Sequence, residues 1–247
     1  MRNFPAELLR AVSVFFITVA FASAAFAQEF SGDSNIQKNN SSVETTGGAK
    51  QIDDAFNKKN EFAVWGGFAP DIPRLFSGSR PSSFAEIGVR YSRRIATTEN
   101  LALKYQFDVI PLAVLNYRVE RLIQTSPTAF TYNRDRETVY AAGITPVSFQ
   151  LNFRRRSKIQ PFVTAGAGLL IFGKKIPDDR SFLRPNQVGR RLNFTPQGGG
   201  GVEFLTDDGR AYIVGFKFHH ISNNSSGRIN PGFDQNLFYF GYTFRKF

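Results

Sequence analysis

From Glu61 onward the chain carries segments of strand character, and a period of two is clearest in the second of them. Between Ser83 and Ile95, Phe84, Glu86, Gly88 and Arg90 alternate with Ala85, Ile87, Val89 and Tyr91. That pattern belongs to a strand whose two faces meet different surroundings. Eight segments have strand character: Glu61 to Ala69, Ser83 to Ile95, Leu101 to Leu115, Thr138 to Phe153, Ile159 to Phe172, Leu192 to Leu205, Ala211 to His220, and Gln235 to Phe247. Pro111, Pro146 and Pro161 fall inside them. They are expected at bulges or strand ends, because proline removes a hydrogen bond from the ladder.

The connections alternate in length. Ala96 to Asn100, Arg154 to Lys158 and Thr206 to Arg210 are short. Asp71 to Ser82, Asn116 to Glu137, Gly173 to Arg191 and Ile221 to Asp234 are long. Short turns on one side and long loops on the other, with an even strand number, are the signature of a bacterial outer-membrane barrel. The expected fold is therefore all-β, an eight-stranded antiparallel transmembrane β-barrel of the outer membrane over residues 61–247. A soluble lipocalin-like or sandwich protein is the competing fold. It needs no such alternation of loops, and it would leave many aromatic rings on wet faces.

Composition agrees with lipid-facing strands. Aromatic residues make up 15% of the chain, with 27 Phe, yet the mean hydropathy is −0.25. Alternating aromatic and polar residues produce that combination. Past the first residues no apolar run of about eighteen occurs, so no helical span is expected.

Residues 1–27 read as a signal peptide. Arg2 and Arg10 precede the apolar run Ala11 to Phe26, and Ala25-Phe26-Ala27 fits a small-x-small cleavage site. An uncleaved membrane anchor is the competing reading. Residues 28–60 are polar, with Asn39-Asn40-Ser41-Ser42 and Gly47-Gly48, and read as a flexible periplasmic tail. A short helix around Ile52 to Phe56 is compatible with that reading. There is no cysteine, so packing or sheet closure must hold the exported chain. The net charge of +11 would suit nucleic acid, but an exported chain meets little of it. Basic excess at the outer membrane instead favours lipopolysaccharide phosphates. Lys174, Lys175, Arg180, Arg184, Arg190 and Arg191 are candidates for that contact, and equally for an ordinary solvated loop.

One polar cluster can carry chemistry. His219 and His220 are the only histidines, Ser222 follows, and Asp234 comes after Asn230-Pro231-Gly232-Phe233. Base, nucleophile and orienting acid are the roles of a hydrolytic triad. Strand parity puts Lys217 and His219 on the inner face, and Phe216, Phe218 and His220 on the outer one. Ser222 continues the outer row if the backbone stays extended. Asp234 and Asn236 share parity with Phe238, Phe240, Tyr242 and Phe244. His220, Ser222 and Asp234 can thus meet on the membrane-facing wall at the extracellular rim, where a substrate would be a lipid. The same residues also suit a polar rim and a turn.

The motifs His220-Ile221-Ser222-Asn223 and Asn230-Pro231-Gly232-Phe233-Asp234 resemble those of the lipid A 3-O-deacylase family (PagL-like, acyloxyacyl hydrolases). A weaker resemblance extends over most of the chain after Glu61, including Ile144-Thr145-Pro146 and Gln160-Pro161-Phe162. It implies an outer-membrane esterase that removes an ester-linked acyl chain from lipid A. Ser222 would be the nucleophile, His220 the base and Asp234 the orienting acid, with Asn223, Asn230 and the backbone at Gly232 supporting the oxyanion. The family's acid is often glutamate, and Asp234 is one methylene shorter. His219 is the competing base. Trp65 and the tyrosines read as interface anchors. No metal or organic cofactor is implied. Partners are lipid A or lipopolysaccharide and the outer membrane itself, with no nucleic acid and the oligomeric state open. The alternative function is a noncatalytic outer-membrane barrel acting as a small pore, adhesin or structural protein.

Overall fold

The computed structural model describes residues 59–71 and 80–246, the last two without side chains. The expected signal peptide and all but the last two residues of the expected tail lie outside the described residues. Eight antiparallel strands follow one another: β1 (Asn60–Ala69), β2 (Ser82–Thr97), β3 (Leu101–Ser126), β4 (Ala129–Phe153), β5 (Ile159–Asp178), β6 (Val188–Leu205), β7 (Ala211–Ile221) and β8 (Phe233–Lys246). Each pairs with the next, and β8 pairs with β1, so the sheet closes. Closure removes the unpaired edge that lipid could not satisfy.

The eight expected segments reappear in order, with short turns at 98–100, 154–158 and 206–210. The long-loop side differs. Asn116 to Glu137, expected as a loop, is mostly paired strand, its register running from Asn116↔Thr138 to Ser126↔Ala129. Only residues 127–128 turn the chain. Past Tyr117 and Val119, which are buried, both faces of this extension are largely exposed, with Glu120, Arg134 and Arg136 in water. A ladder outside the membrane needs no apolar alternation, so the sequence there lacked the strand signal. Likewise β5 runs on to Asp178 and β6 starts at Val188. The prolines lie where expected. Register shifts span Ile110/Ala113 and Ile144/Val147, around Pro111 and Pro146. Pro161 is the third residue of β5.

The alternation sorts side chains by face. Phe84, Glu86 and Arg90 are buried inside, whereas Ile87 and Val89 are exposed. Outside, Phe204, Tyr212, Val214, Phe238 and Phe240 belong to a wide exposed apolar surface, which lipid covers. Inside, charges are paired. Arg90 donates to both oxygens of Asp108 at 2.7 and 2.9 Å. Lys104 lies 2.9 Å from both Glu61 and Glu203. Asn152 and Gln150 donate to Glu203 at 2.7 and 2.8 Å. A barrel of eight strands is just wide enough for side chains to fill it.

Trp65 corrects one expectation. It is buried inside the barrel, not at the lipid interface, with Lys217 Nζ 4.0 Å from its ring centroid. Tyr117 and Tyr239 are likewise internal, while Tyr132, Tyr140 and Tyr212 are exposed. An aromatic residue in a barrel strand takes its face from parity, and residue type alone does not reveal it.

Candidate active site

The last hairpin positions the polar cluster. In the β7–β8 ladder His219 faces Gln235, His220 faces Asp234, and Ile221 faces Phe233. The two flanking pairs point inward and are buried, and Gln235 Nε2 donates to Ser82 Oγ at 2.6 Å. Phe233 packs edge-on against Tyr117 at 5.3 Å between centroids. Because successive side chains alternate, these inward anchors turn His220 and Asp234 outward together, and a register slip would bury them. Their side chains meet: His220 Nδ1 and Asp234 Oδ1 are 2.6 Å apart. Directly opposed residues have Cβ atoms about 5 Å apart, so the short aspartate reaches the imidazole. The pair differs in exposure, at 33% for His220 and 3% for Asp234.

Ser222 extends the outward row. It forms an antiparallel bridge with Phe194, with backbone hydrogen bonds of 2.7 and 3.0 Å. The extended backbone therefore persists past β7. Continuing the Gln197↔His219 register by one step puts Pro196 opposite His220. Pro196 and Phe194 are both exposed, so β6 contributes an apolar wall beside the cluster. Sequence reasoning had not paired these two with the site, although counting the register between the motif and β6 would have done so. No hydrogen bond joins Ser222 Oγ to the imidazole.

Behind the cluster, residues 222–232 form a tied loop. Asn223 is buried and organises it. Its amide N donates to Asn230 Oδ1 at 3.0 Å, its Nδ2 to the Ile229 carbonyl at 2.9 Å, and its Oδ1 accepts from the Gly227 amide at 3.2 Å. The Asn223 carboxamide is thus engaged within the loop, and the Asn230 oxygen fixes the backbone next to Ser222. Gly232 takes φ +69°, the left-handed region that favours glycine. A Cβ there would lie 2.9 Å from His220 Cε1, so the missing side chain makes room for the imidazole.

His219 is buried, edge-on to Phe84 at 5.4 Å between centroids, with Nδ1 3.6 Å from Glu86. Its position inside the barrel separates it from the outward cluster. Among the described residues no group of three or more His, Cys, Asp or Glu is arranged to hold a metal ion. Of the basic candidates, Arg180 is held by Asp178 and Lys174 by Glu137. Arg190 and Arg191 donate to the carbonyls of Ser226 and Phe172 and remain exposed.

Comparison with known proteins adds the family. Two crystal structures are similar: that of the outer membrane enzyme PagL, at 16% identity, 74% of this chain, 97% of that chain and TM-score 0.45, and that of the N-terminal β-barrel domain of Pseudomonas aeruginosa OprF, at 9%, 76%, 100% and 0.34. No curated protein matches. The family described as lipid A 3-O-deacylase (PagL) matches residues 99–243. That match takes in more than half of the sequence, from the turn before β3 into β8, and contains His220, Ser222 and Asp234 together with the loop that joins them. The chain is accordingly a member of the lipid A 3-O-deacylase (PagL) family.

Proposed function

We propose that the chain is an outer-membrane esterase that hydrolyses the acyl ester at the 3-position of lipid A, using Ser222, His220 and Asp234. The observation that carries this reading is the 2.6 Å contact between His220 Nδ1 and Asp234 Oδ1 on the outward face. With Nδ1–H directed at the carboxylate, Nε2 is the lone-pair nitrogen that can take a proton. Ser222 Oγ then attacks the ester carbonyl as His220 Nε2 removes its proton. Collapse of the tetrahedral intermediate breaks the bond to the sugar oxygen, and the imidazolium returns the proton to that alkoxide. Water, deprotonated by His220, hydrolyses the acyl-serine and restores the hydroxyl. Asp234 holds the tautomer and stabilises the imidazolium without itself changing charge.

The oxyanion needs donors near Ser222. Asn230 and the Gly232 backbone are the nearest candidates in the sequence, while Asn223 supports them by holding the loop. The site lies at the boundary between the apolar wall and the polar rim, the depth at which an acyl ester of a membrane lipid sits. Purified Ser222→Ala in detergent micelles with lipid A should keep the fold, seen as heat-modifiable migration in electrophoresis. It should also lose release of the free acyl chain. Continued release at the unmodified rate would contradict the assignment of Ser222.

A further inference from the structure

We infer that Arg190 and Arg228 form a seat for a phosphate on the headgroup of the lipid whose ester meets Ser222, and so give the enzyme a preference for phosphorylated substrate. The inference rests on the deacylase reading. It starts from the order of side chains along the outer wall. On β6 the outward row passes from Phe204 through Phe194 and Leu192, all exposed and apolar, to Arg190. Beside it the β7 row passes from Phe218 to His220 and then Ser222. From the membrane outward the wall is apolar, then carries the hydrolytic cluster, then turns cationic. An amphiphile with a chain, an ester and an anionic headgroup has the same order.

The backbones that carry the two arginines run side by side. Past Ser222 the loop keeps tracking β6: Arg190 Nε donates to the Ser226 carbonyl at 2.9 Å, and the Arg228 amide donates to the Val188 carbonyl at 3.2 Å. Gly189 and Gly227 allow this approach, since a Cβ on Gly227 would lie 2.8 Å from Gly189 Cα. Arg190 is four residues along β6 from Phe194, the partner of Ser222, about 13 Å along the strand at ~3.3 Å per residue. A sugar headgroup and an arginine side chain together bridge that span.

Several cations of this rim are already neutralised, although Arg184 and Arg191 are, like this pair, exposed without an ion pair. At the same rim Arg80 is bound by Asp179, Arg136 by Asp71, Arg180 by Asp178 and Lys174 by Glu137. Among the described residues Arg190 and Arg228 are exposed and make no ion pair. The one carboxylate of the cluster, Asp234, is buried and faces His220. The outward field above Ser222 is therefore positive. The guanidinium fork matches phosphate oxygens in a bidentate way that a lysine does not.

Two measurements test the seat. In native mass spectrometry, Ser222→Ala barrels should retain phosphorylated lipid A about tenfold better than the dephosphorylated lipid, as expected for a charge-assisted pair. Adding Arg190→Gln and Arg228→Gln should bring the ratio close to one. With Ser222 intact, in dodecyl maltoside micelles, the same two changes should remove the preference in kcat/KM through KM. Arginine-to-lysine versions should keep part of it. Equal retention of the two lipids, or a preference that survives the double change, would overturn the inference. So would restored turnover of dephosphorylated substrate on adding phosphatidylglycerol, since the phosphate would then come from neighbouring lipids. Absence of acyl release with Ser222 intact would instead count against the deacylase reading, and retention would still report on the seat.

Discussion

Asp234 holds a position where the sequence raised a doubt about length. A carboxylate one methylene shorter than glutamate has less reach toward an imidazole across a hairpin. Register removes the difficulty. His220 and Asp234 stand directly opposite one another, and one imidazole nitrogen and one carboxylate oxygen need to cover only the gap left between close Cβ atoms. Gly232 completes the fit from the other side. A methyl there would press on His220 Cε1 at 2.9 Å and would strain a backbone at φ +69°. Gly232→Ala should therefore lower kcat by about a hundredfold, the scale set by small misplacements of a catalytic group. The barrel should still fold. Unchanged kcat would show that the imidazole is not held in this way.

Elements differ in how much of them could be read in advance. All eight strands announced themselves where one face meets lipid and the other meets the interior, as in β2, because that contrast writes a period of two into the sequence. The upper parts of β3 and β4 did not, since beyond Val119 neither face meets lipid or a packed interior. At the site, parity alone separated His220 from His219, and the buried position of His219 agrees with it. The role of Asn223 was not legible. Its type suits an oxyanion donor, and only the loop geometry reveals a buried carboxamide tied to Ile229 and Gly227. Pro196 and Phe194 also escaped notice, because they are distant in sequence and become neighbours of the cluster through the β6–β7 register. Replacing Asn223 by alanine leaves two loop partners, the Ile229 carbonyl and the Gly227 amide, unsatisfied, at a cost of about 1–3 kcal/mol each where buried. Amide exchange across residues 224–229 should then rise about tenfold or more, with the strand amides still protected. An unchanged loop would mean that Asn223 is not its organiser.

At the scale of the whole molecule, the described residues form a closed barrel with a filled interior. Arg90–Asp108, Lys104 with Glu61 and Glu203, and Lys217–Glu86 at 3.0 Å cross the lumen. Trp65, Phe84 and Tyr239 fill the space around them. Such an interior fits an enzyme that works on its outer wall better than a pore. Planar bilayers containing the pure protein should show no steady single-channel conductance, and a stable open channel would favour the noncatalytic alternative. The polar lumen also explains how a chain of modest mean hydropathy can span a membrane: charged and amide side chains fill the inside while the outward row is largely apolar.

The proposed activity comes down to one event, cleavage of an acyl ester by Ser222 on the lipid-facing wall. Mass spectrometry of lipid A from Gram-negative cells with and without the protein reads it directly. Expression should shift lipid A to the mass lacking the single acyl chain at the 3-position, and His220→Ala and Ser222→Ala should each leave lipid A at full mass while still assembling in the outer membrane. Unshifted lipid A in cells carrying the assembled, unaltered barrel, or a shift that persists in both variants, would contradict it.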